Sequence, residues 1–299
     1  MSTPEVESVT LGELNCWRVR DGRSELLVAQ QGAQVLSYQV GSDHPLIWLN
    51  PDAELKKGHP IRAGVPVCWP WFGNLARNPN GVQAMREGED PAPSHGLVRA
   101  MDWKLDGIDQ AEGSVALNFS LPEADGSLPT WPHAASLKMR ITLGEDLHIQ
   151  LTTLNLGRDR VIISQALHTY FAVSDVRQVA VDEVAGLKYI ETLEDWEERQ
   201  QTGPLAVTGE TDRIYLNTPA RLSIADPGWK RRILITPEGS KSAVIWNPWI
   251  ARAAALPDLA DDGWKNMFCI ETANVMEDIM GLRPGSSHTL GVRISSEAL

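Results

Sequence analysis

Several features that would mark a specialised environment are missing from this chain. Its three cysteines, Cys16, Cys68 and Cys269, are odd in number and widely spaced, which argues against both a disulfide framework and a zinc-knuckle pattern and leaves reduced, buried thiols as the expectation. No apolar run approaches ~20 residues, so a membrane-spanning helix is not expected. The opening residues 1–8, M-S-T-P-E-V-E-S, lack the basic start and apolar stretch of a secretory signal, and a cytoplasmic location follows as an expectation. Positive charge is in deficit: 27 basic against 39 acidic residues give a net charge of −12, and no run of Lys or Arg resembles a nucleic-acid patch. A small phosphorylated ligand remains open, because two or three arginines converging in a cleft set the local field whatever the global sum. Tyr and Phe are scarce, four each, against 11 Trp. Trp offers a broad apolar face and one N–H donor, which suits stacking on sugar rings and filling a sandwich core alike. Signature motifs are also missing: there is no P-loop or dinucleotide fingerprint, and no G-x-S-x-G elbow or H-E-x-x-H helix.

What is present is a succession of short strands punctuated by turns, without an internal repeat or a credible linker, so residues 1–299 read as one all-β domain. Asp21-Gly22 is a hairpin signal between N-C-W-R-V-R and S-E-L-L-V-A, and Gln34–Val40 is a strand that ends at Gly41. Leu137–Leu143 and Leu147–Leu154 alternate apolar with polar residues around Gly144-Glu145-Asp146, the pattern of a hairpin with one buried and one wet face. His148 falls on the polar face and reads as a surface histidine. Residues 61–73, I-R-A-G-V-P-V-C-W-P-W-F-G, are too rich in Pro and Gly for a central strand or helix, and read as the rigid wall of a site or a structural loop over a sheet. Residues 78–94 read as an exposed loop leading to His95-Gly96. The stretch 183–201, with four glutamates at 191, 194, 197 and 198, reads as a solvated loop or short helical face.

Two strands bear the chemistry. In 161–172, V-I-I-S-Q-A-L-H-T-Y-F-A, strand alternation puts His168 on one face with Ser164, Ala166 and Tyr170, as in a strand whose other face packs on a core. In 267–272, M-F-C-I-E-T, Glu271 interrupts an apolar run; carboxylates are seldom buried without a partner or a task, although the strand ending there is an equally simple account. Asp212-Arg213 reads by itself as a structural ion pair at the start of a strand. His95, His168, Asp212 and Glu271 are thus spread over a β scaffold, with Arg62 and Arg99 available for an anion, and a His and a carboxylate can form an acid/base couple around a small substrate.

Six segments in this order, I-R-A-G-V-P-V-C-W-P-W-F-G, H-G-L-V-R-A-M-D-W, A-L-H-T-Y-F-A-V-S-D-V, T-D-R-I-Y-L, V-I-W-N-P-W and C-I-E-T-A-N-V, span nearly the whole chain and resemble the hexose-6-phosphate mutarotases of the aldose 1-epimerase superfamily. The resemblance implies an antiparallel β-supersandwich of the galactose mutarotase type and interconversion of the anomers of a hexose 6-phosphate, with neither cofactor nor metal. It implies Glu271 as base and His168 as acid, His95 and Asp212 on the sugar hydroxyls, Arg62 and Arg99 on the phosphate, and Trp246 in the wall. A phosphosugar is then the expected partner of a chain working as a monomer, without nucleic acid or membrane. A mutarotase of unphosphorylated aldoses and a non-catalytic sugar-binding protein are the rivals. The chain departs from the pattern twice. D-P-A-P-S precedes the H-G pair where relatives often carry basic residues, with Arg86 as a candidate substitute, and Thr272-Ala273 follows the glutamate where Pro-Gly or Ala-Gly is common.

Overall fold

A computed structural model describes residues 4–299, and antiparallel strands are its dominant regular element, with only a few short helical turns. Alternating sequences such as Leu137–Leu143 bury every second side chain, so each needs a second layer to cover its apolar face. That layer is a second large sheet. One sheet has nine strands and orders Lys104–Ala111, Ser114–Leu121, Ala135–Leu143, Leu147–Asn155, Ser287–Ala298 and Arg231–Glu238 side by side, with three shorter strands beyond. The other has eight, with Lys188–Glu191, Thr211–Leu216, Ser242–Asn247, Met267–Asn274, Gln165–Leu167 and Val67–Cys68 as consecutive neighbours. A four-stranded meander, Glu5–Leu11 through Val35–Val40, carries the Asp21-Gly22 hairpin. One apolar core runs from Leu14 to Ile294. Most tryptophans serve it: Trp69, Trp71, Trp103 and Trp131 are fully buried, and Trp69 Nε1 donates to Thr153 Oγ1 of the nine-stranded sheet at 3.1 Å. No helix among the described residues is long and apolar enough to cross a membrane.

Five sequence expectations are corrected. Residues 161–172 form three short strands rather than one: Val161–Ile163 pairs with Met280–Leu282, Gln165–Leu167 with Met267–Asn274 and Val67–Cys68, and Tyr170–Ala172 with Met267–Asn274 again. His168 lies in the last gap, and its N–H donates to Pro66 O at 3.0 Å. The stretch 183–201 is a hairpin, Lys188–Glu191 with Glu197–Gln200, and Glu191 is buried against Arg213 Nε at 2.9 Å. Arg213 therefore does not pair with Asp212 as the sequence suggested. His148 is buried and its Nε2 lies 2.9 Å from Glu238 Oε2, because the next strand but one brings a carboxylate over the polar face, reaching across Gly291 of the strand between. Finally, no turn follows Glu271: the strand runs on to Asn274, buried throughout.

The irregular segment 61–73 is fastened to the sheets by its own backbone. Gly64 N–H donates to Trp48 O and Tyr170 N–H to Gly64 O. Trp69 bridges Gly96 in parallel, and Leu97 N–H donates to Trp69 O at 2.9 Å. Gly96 has φ of 76°, and a Cβ there would lie 2.0 Å from Trp69 O, so any side chain is excluded by both conformation and space. Gly96→Ala is expected to lower unfolding free energy by more than about 2 kcal/mol, read by urea denaturation; a loss within error would show that this junction does not hold the wall in place.

Candidate functional site

Strand register decides which side chains meet on the open face of the eight-stranded sheet. Asp212 stands opposite Trp246, and Val244 opposite Glu271, so these four share one face with Ile214, Cys269 and Ala273. Ala166 pairs with Ala273 and Tyr170 with Cys269, which puts 166, 168 and 170 on that same face, as the alternation implied. Two small residues, Ala166 and Ala273, leave the depression, and Cys68, Ile190, Ile214, Val244 and Val275 form its apolar floor with them. Above it opens a cavity of about 880 Å3, toward the upper end of the usual range for small-molecule sites.

All seven residues singled out in the sequence, Arg62, His95, Arg99, His168, Asp212, Trp246 and Glu271, line this cavity. His168 and Glu271 are 7% and 1% exposed, and His168 Nε2 lies 3.4 Å from Glu271 Oε1. Tyr170 stacks on His168 at 4.8 Å between centroids and 6° between planes, while Trp246 and His95 present T-shaped faces at 6.1 and 5.3 Å. The imidazole is thus held by rings on three sides. Three buried polar atoms of the site, Arg62 Nε, His168 Nδ1 and Glu271 Oε2, have no hydrogen-bond partner. Buried polar groups are rarely left so, and atoms converging in this way on a cavity mark a place for a polar ligand.

Arg86 does not join them. Its guanidinium donates to Gly88 O and Asp90 O within its own loop, and it lies outside the cavity wall. Further wall residues were not picked out from sequence: Arg77, Tyr170, Trp196 and Arg252. Tyr170 was within reach, two residues along the face of His168. Arg77 and Trp196 come from separate loops, the turn after the proline-rich wall and the tip of the 188–200 hairpin, and meet as a cation over a ring at 5.4 Å.

Burial sets the protonation states. It pushes the Glu271 carboxyl well above the ordinary carboxylate range, with the Asp212 charge adding to the effect. It pulls His168 well below the usual histidine value, reinforced by His95, Arg62 and Arg99. His95 is drawn down to about 3 by burial and then by the charges of Arg99 and Arg62. Asp212 is raised to about 6 by burial, with Glu191 and Glu210 contributing. Removing charge from water costs more here than the neighbours return, and the ligand-free site favours neutral forms.

A sandwich of two antiparallel sheets with a cavity over one open sheet face is the architecture of the mutarotase-type sugar isomerases. The chain belongs to the aldose 1-epimerase family, whose family model matches residues 15–295. A curated protein of Escherichia coli strain K12, named "Putative glucose-6-phosphate 1-epimerase", is 32% identical over 276 residues, 92% of this chain and 88% of its own. A plant protein of the same name, from Cenchrus ciliaris, is 31% identical over 265 residues, 85% of this chain and 76% of its own. The crystal structure of YeaD from Salmonella typhimurium, described as "a putative mutarotase", superposes with a TM-score of 0.86 at 28% identity, covering 98% of this chain and 94% of that one. A galactose 1-epimerase from Lactobacillus acidophilus NCFM shares the fold at 13% identity, with a TM-score of 0.74 over 99% and 98% of the two chains. The all-β, galactose mutarotase-type sandwich expected from sequence is therefore the fold of this protein.

The raised Asp212 carries a stability consequence. Its folded-state value of about 6, against an ordinary 3.8, means that folding favours the protonated acid. That contribution is complete below pH 4 and is lost as pH rises through 6. The unfolding free energy of wild type relative to Asp212→Asn is expected to fall by ~1–2 kcal/mol between pH 4 and 6.5, measured by urea denaturation at each pH. A difference that stays flat or grows would mean Asp212 is ionised without penalty.

Proposed function

We propose that this protein interconverts the α and β anomers of a hexose 6-phosphate, glucose 6-phosphate foremost, by acid/base opening and closure of the ring. The observation that carries this reading is the buried His168–Glu271 couple, 3.4 Å apart, in a cavity whose wall also bears Arg62 and Arg99. The name of the Escherichia coli relative points to the same substrate. The free thiols Cys16, Cys68 and Cys269 suit a cytoplasmic enzyme, and the core running from Leu14 to Ile294 suits action as one domain. We take the working form to be a monomer.

Ring opening moves one proton off the anomeric hydroxyl and delivers one to the ring oxygen as the C1–O5 bond breaks and the C1–O1 carbonyl forms. Glu271 accepts the first proton and His168 Nε2 supplies the second, so the couple ends with the same number of protons as it began. Rotation about C1–C2 presents the other carbonyl face, and the two transfers run backwards to close the opposite anomer. The couple thus needs one proton in total, shared between two groups. In the ligand-free site the neutral arrangement is favoured, with the proton on Glu271. A bound phosphate offsets the charges of Arg62 and Arg99, two of the causes that hold His168 neutral. Substrate binding therefore shifts the couple towards carboxylate and imidazolium, the arrangement from which the ring opens. Arginine suits the phosphate because its planar fork pairs with two oxygens and keeps its charge. His95, Asp212 and Trp246 hold the hydroxyl-bearing face of the sugar.

Anomer exchange of glucose 6-phosphate at equilibrium, followed by NMR, tests the reading. His168→Ala and Glu271→Gln are expected each to lower kcat by ~10²–10⁴ while the fold persists. Bound substrate exchanging only at its spontaneous rate with wild type would instead mark a sugar-binding protein. Arg99→Ala is expected to raise KM for glucose 6-phosphate about ten-fold or more without lowering kcat/KM for free glucose, since it removes a charge that opposes imidazolium formation. Equal losses on both sugars would remove Arg99 from the phosphate site. Because one shared proton is required, the rate should fall in acid as His168 also becomes protonated and in alkali as Glu271 loses its proton. A single acid limb in the ordinary carboxylate range, near pH ~4, would contradict the shared-proton scheme.

A further inference from the structure

His95 is gripped on one ring nitrogen by a backbone N–H and a buried thiol. Gly73 N–H points at His95 Nδ1 at 3.3 Å, and Cys68 Sγ approaches the same nitrogen at 3.3 Å. A backbone N–H can only donate, so Nδ1 must be the ring's acceptor and the proton must sit on Nε2. The thiol fits as a second donor to that lone pair: Cys68 is fully buried, and burial together with the Glu271 charge holds it as S–H rather than thiolate. The attachment is rigid. Cys68 pairs with Ala166 in the sheet, His95 N–H donates to Gly73 O at 2.9 Å, and Phe72 meets the imidazole edge-on at 5.0 Å. With Nδ1 occupied, Nε2–H is the donor left for the cavity that His95 lines.

We infer that Cys68 is a positioning residue for His95: its thiol and the Gly73 N–H together fix the ring as the Nε2–H tautomer, so that His95 donates to a sugar oxygen and leaves the exchanging proton to His168. The two imidazoles lie 5.3 Å apart, and a reaction that needs one defined acid is impaired if both can take the proton. Protonating His95 at Nδ1 would set its N–H against the Gly73 N–H and forfeit the thiol's hydrogen bond to that nitrogen, two penalties of which Cys68 supplies the second. His168 has no such guard, since its Nδ1 is unpartnered. The same arrangement gives the open-chain carbonyl a neutral N–H donor that strengthens as charge builds on oxygen. This catalytic consequence rests on the epimerase reading, whereas the tautomer rests on geometry alone.

The test is 15N NMR of histidine-labelled, ligand-free protein, with His95 assigned by the signal lost in His95→Gln. Wild type and Cys68→Ser, which keeps a donor, are expected to show His95 as Nε2–H throughout pH 5–8. Cys68→Ala is expected to admit Nδ1-protonated forms and to lower kcat about five-fold, the effect of one lost hydrogen bond, with KM little changed; Cys68→Ser restores the rate to within about two-fold of wild type. An Nδ1–H tautomer in wild type overturns the inference, as does a Cys68→Ala protein matching Cys68→Ser in both tautomer and kcat. If the tautomers are as expected but wild type exchanges no anomers, the positioning stands and the epimerase reading falls.

Discussion

The site depends on a carboxyl placed where water cannot reach it. Glu271 is in the interior of an eight-residue strand buried along its whole length, with strands hydrogen-bonded on both sides, so its side chain cannot swing to solvent without breaking the sheet. An ionised carboxylate in such a place costs several kcal/mol unless matched, and the titratable group paired with it is His168. The pair is forced to share a proton or to wait for a ligand that changes the local charge. In the proposed reaction, catalytic competence is a by-product of enforced desolvation, which brings the couple to the brink of proton exchange before the sugar arrives.

Holding that pair apart by 3.4 Å demands irregular backbone. A continuous ladder would seat His168 in the sheet with its N–H on a neighbouring strand; instead the ladder stops at Leu167 and resumes at Tyr170. The orphaned N–H groups of His168 and Tyr170 go to Pro66 O and Gly64 O. The Pro- and Gly-rich wall is therefore the partner that makes the strand break affordable, as well as the carrier of Arg62. Gly64 must be glycine for the same reason as Gly96: a Cβ would lie 2.0 Å from Val35 O. Backbone hydrogen bonds couple the wall that carries Arg62 to the segment of His168.

Much of this was legible in the sequence, and the rest has a physical reason for being hidden. Period-two alternation gave the Leu137–Leu154 hairpin and the face shared by His168 and Tyr170, because alternation is local and the pleat enforces it. The six ordered segments pointed to the fold and to the seven wall residues, which the structure gathers around one cavity. What alternation could not convey is pairing. That His148 finds Glu238, that Arg213 chooses Glu191 over Asp212, and that Arg77 lies over Trp196 all depend on which distant strands or loops become neighbours. The 183–201 stretch misled for a related reason: Ile190 and Tyr189 supply too little apolar pattern to announce a strand, and its glutamates lie on the exposed edge of the sheet, apart from Glu191.

Net charge is a poor guide to this cavity's chemistry. The chain carries −12 overall, yet four arginines and four carboxyls share the wall: Arg62, Arg77, Arg99 and Arg252 against Glu210, Asp212, Asp258 and Glu271. Their arrangement matters more than their sum. Beyond burial, His168 is held neutral by His95 and then by the charges of Arg62 and Arg99, and Glu271 by the charge of Asp212, so positive groups bias one member of the couple and an anion biases the other, each towards neutrality. A phosphate bound to the arginines relieves one of these biases, and a hydroxyl hydrogen bond from the sugar to Asp212 eases the other. In the proposed reaction, recognition of a phosphosugar and readiness for proton transfer are then the same event, and an unphosphorylated hexose of identical ring geometry meets a site still set to its resting charge state.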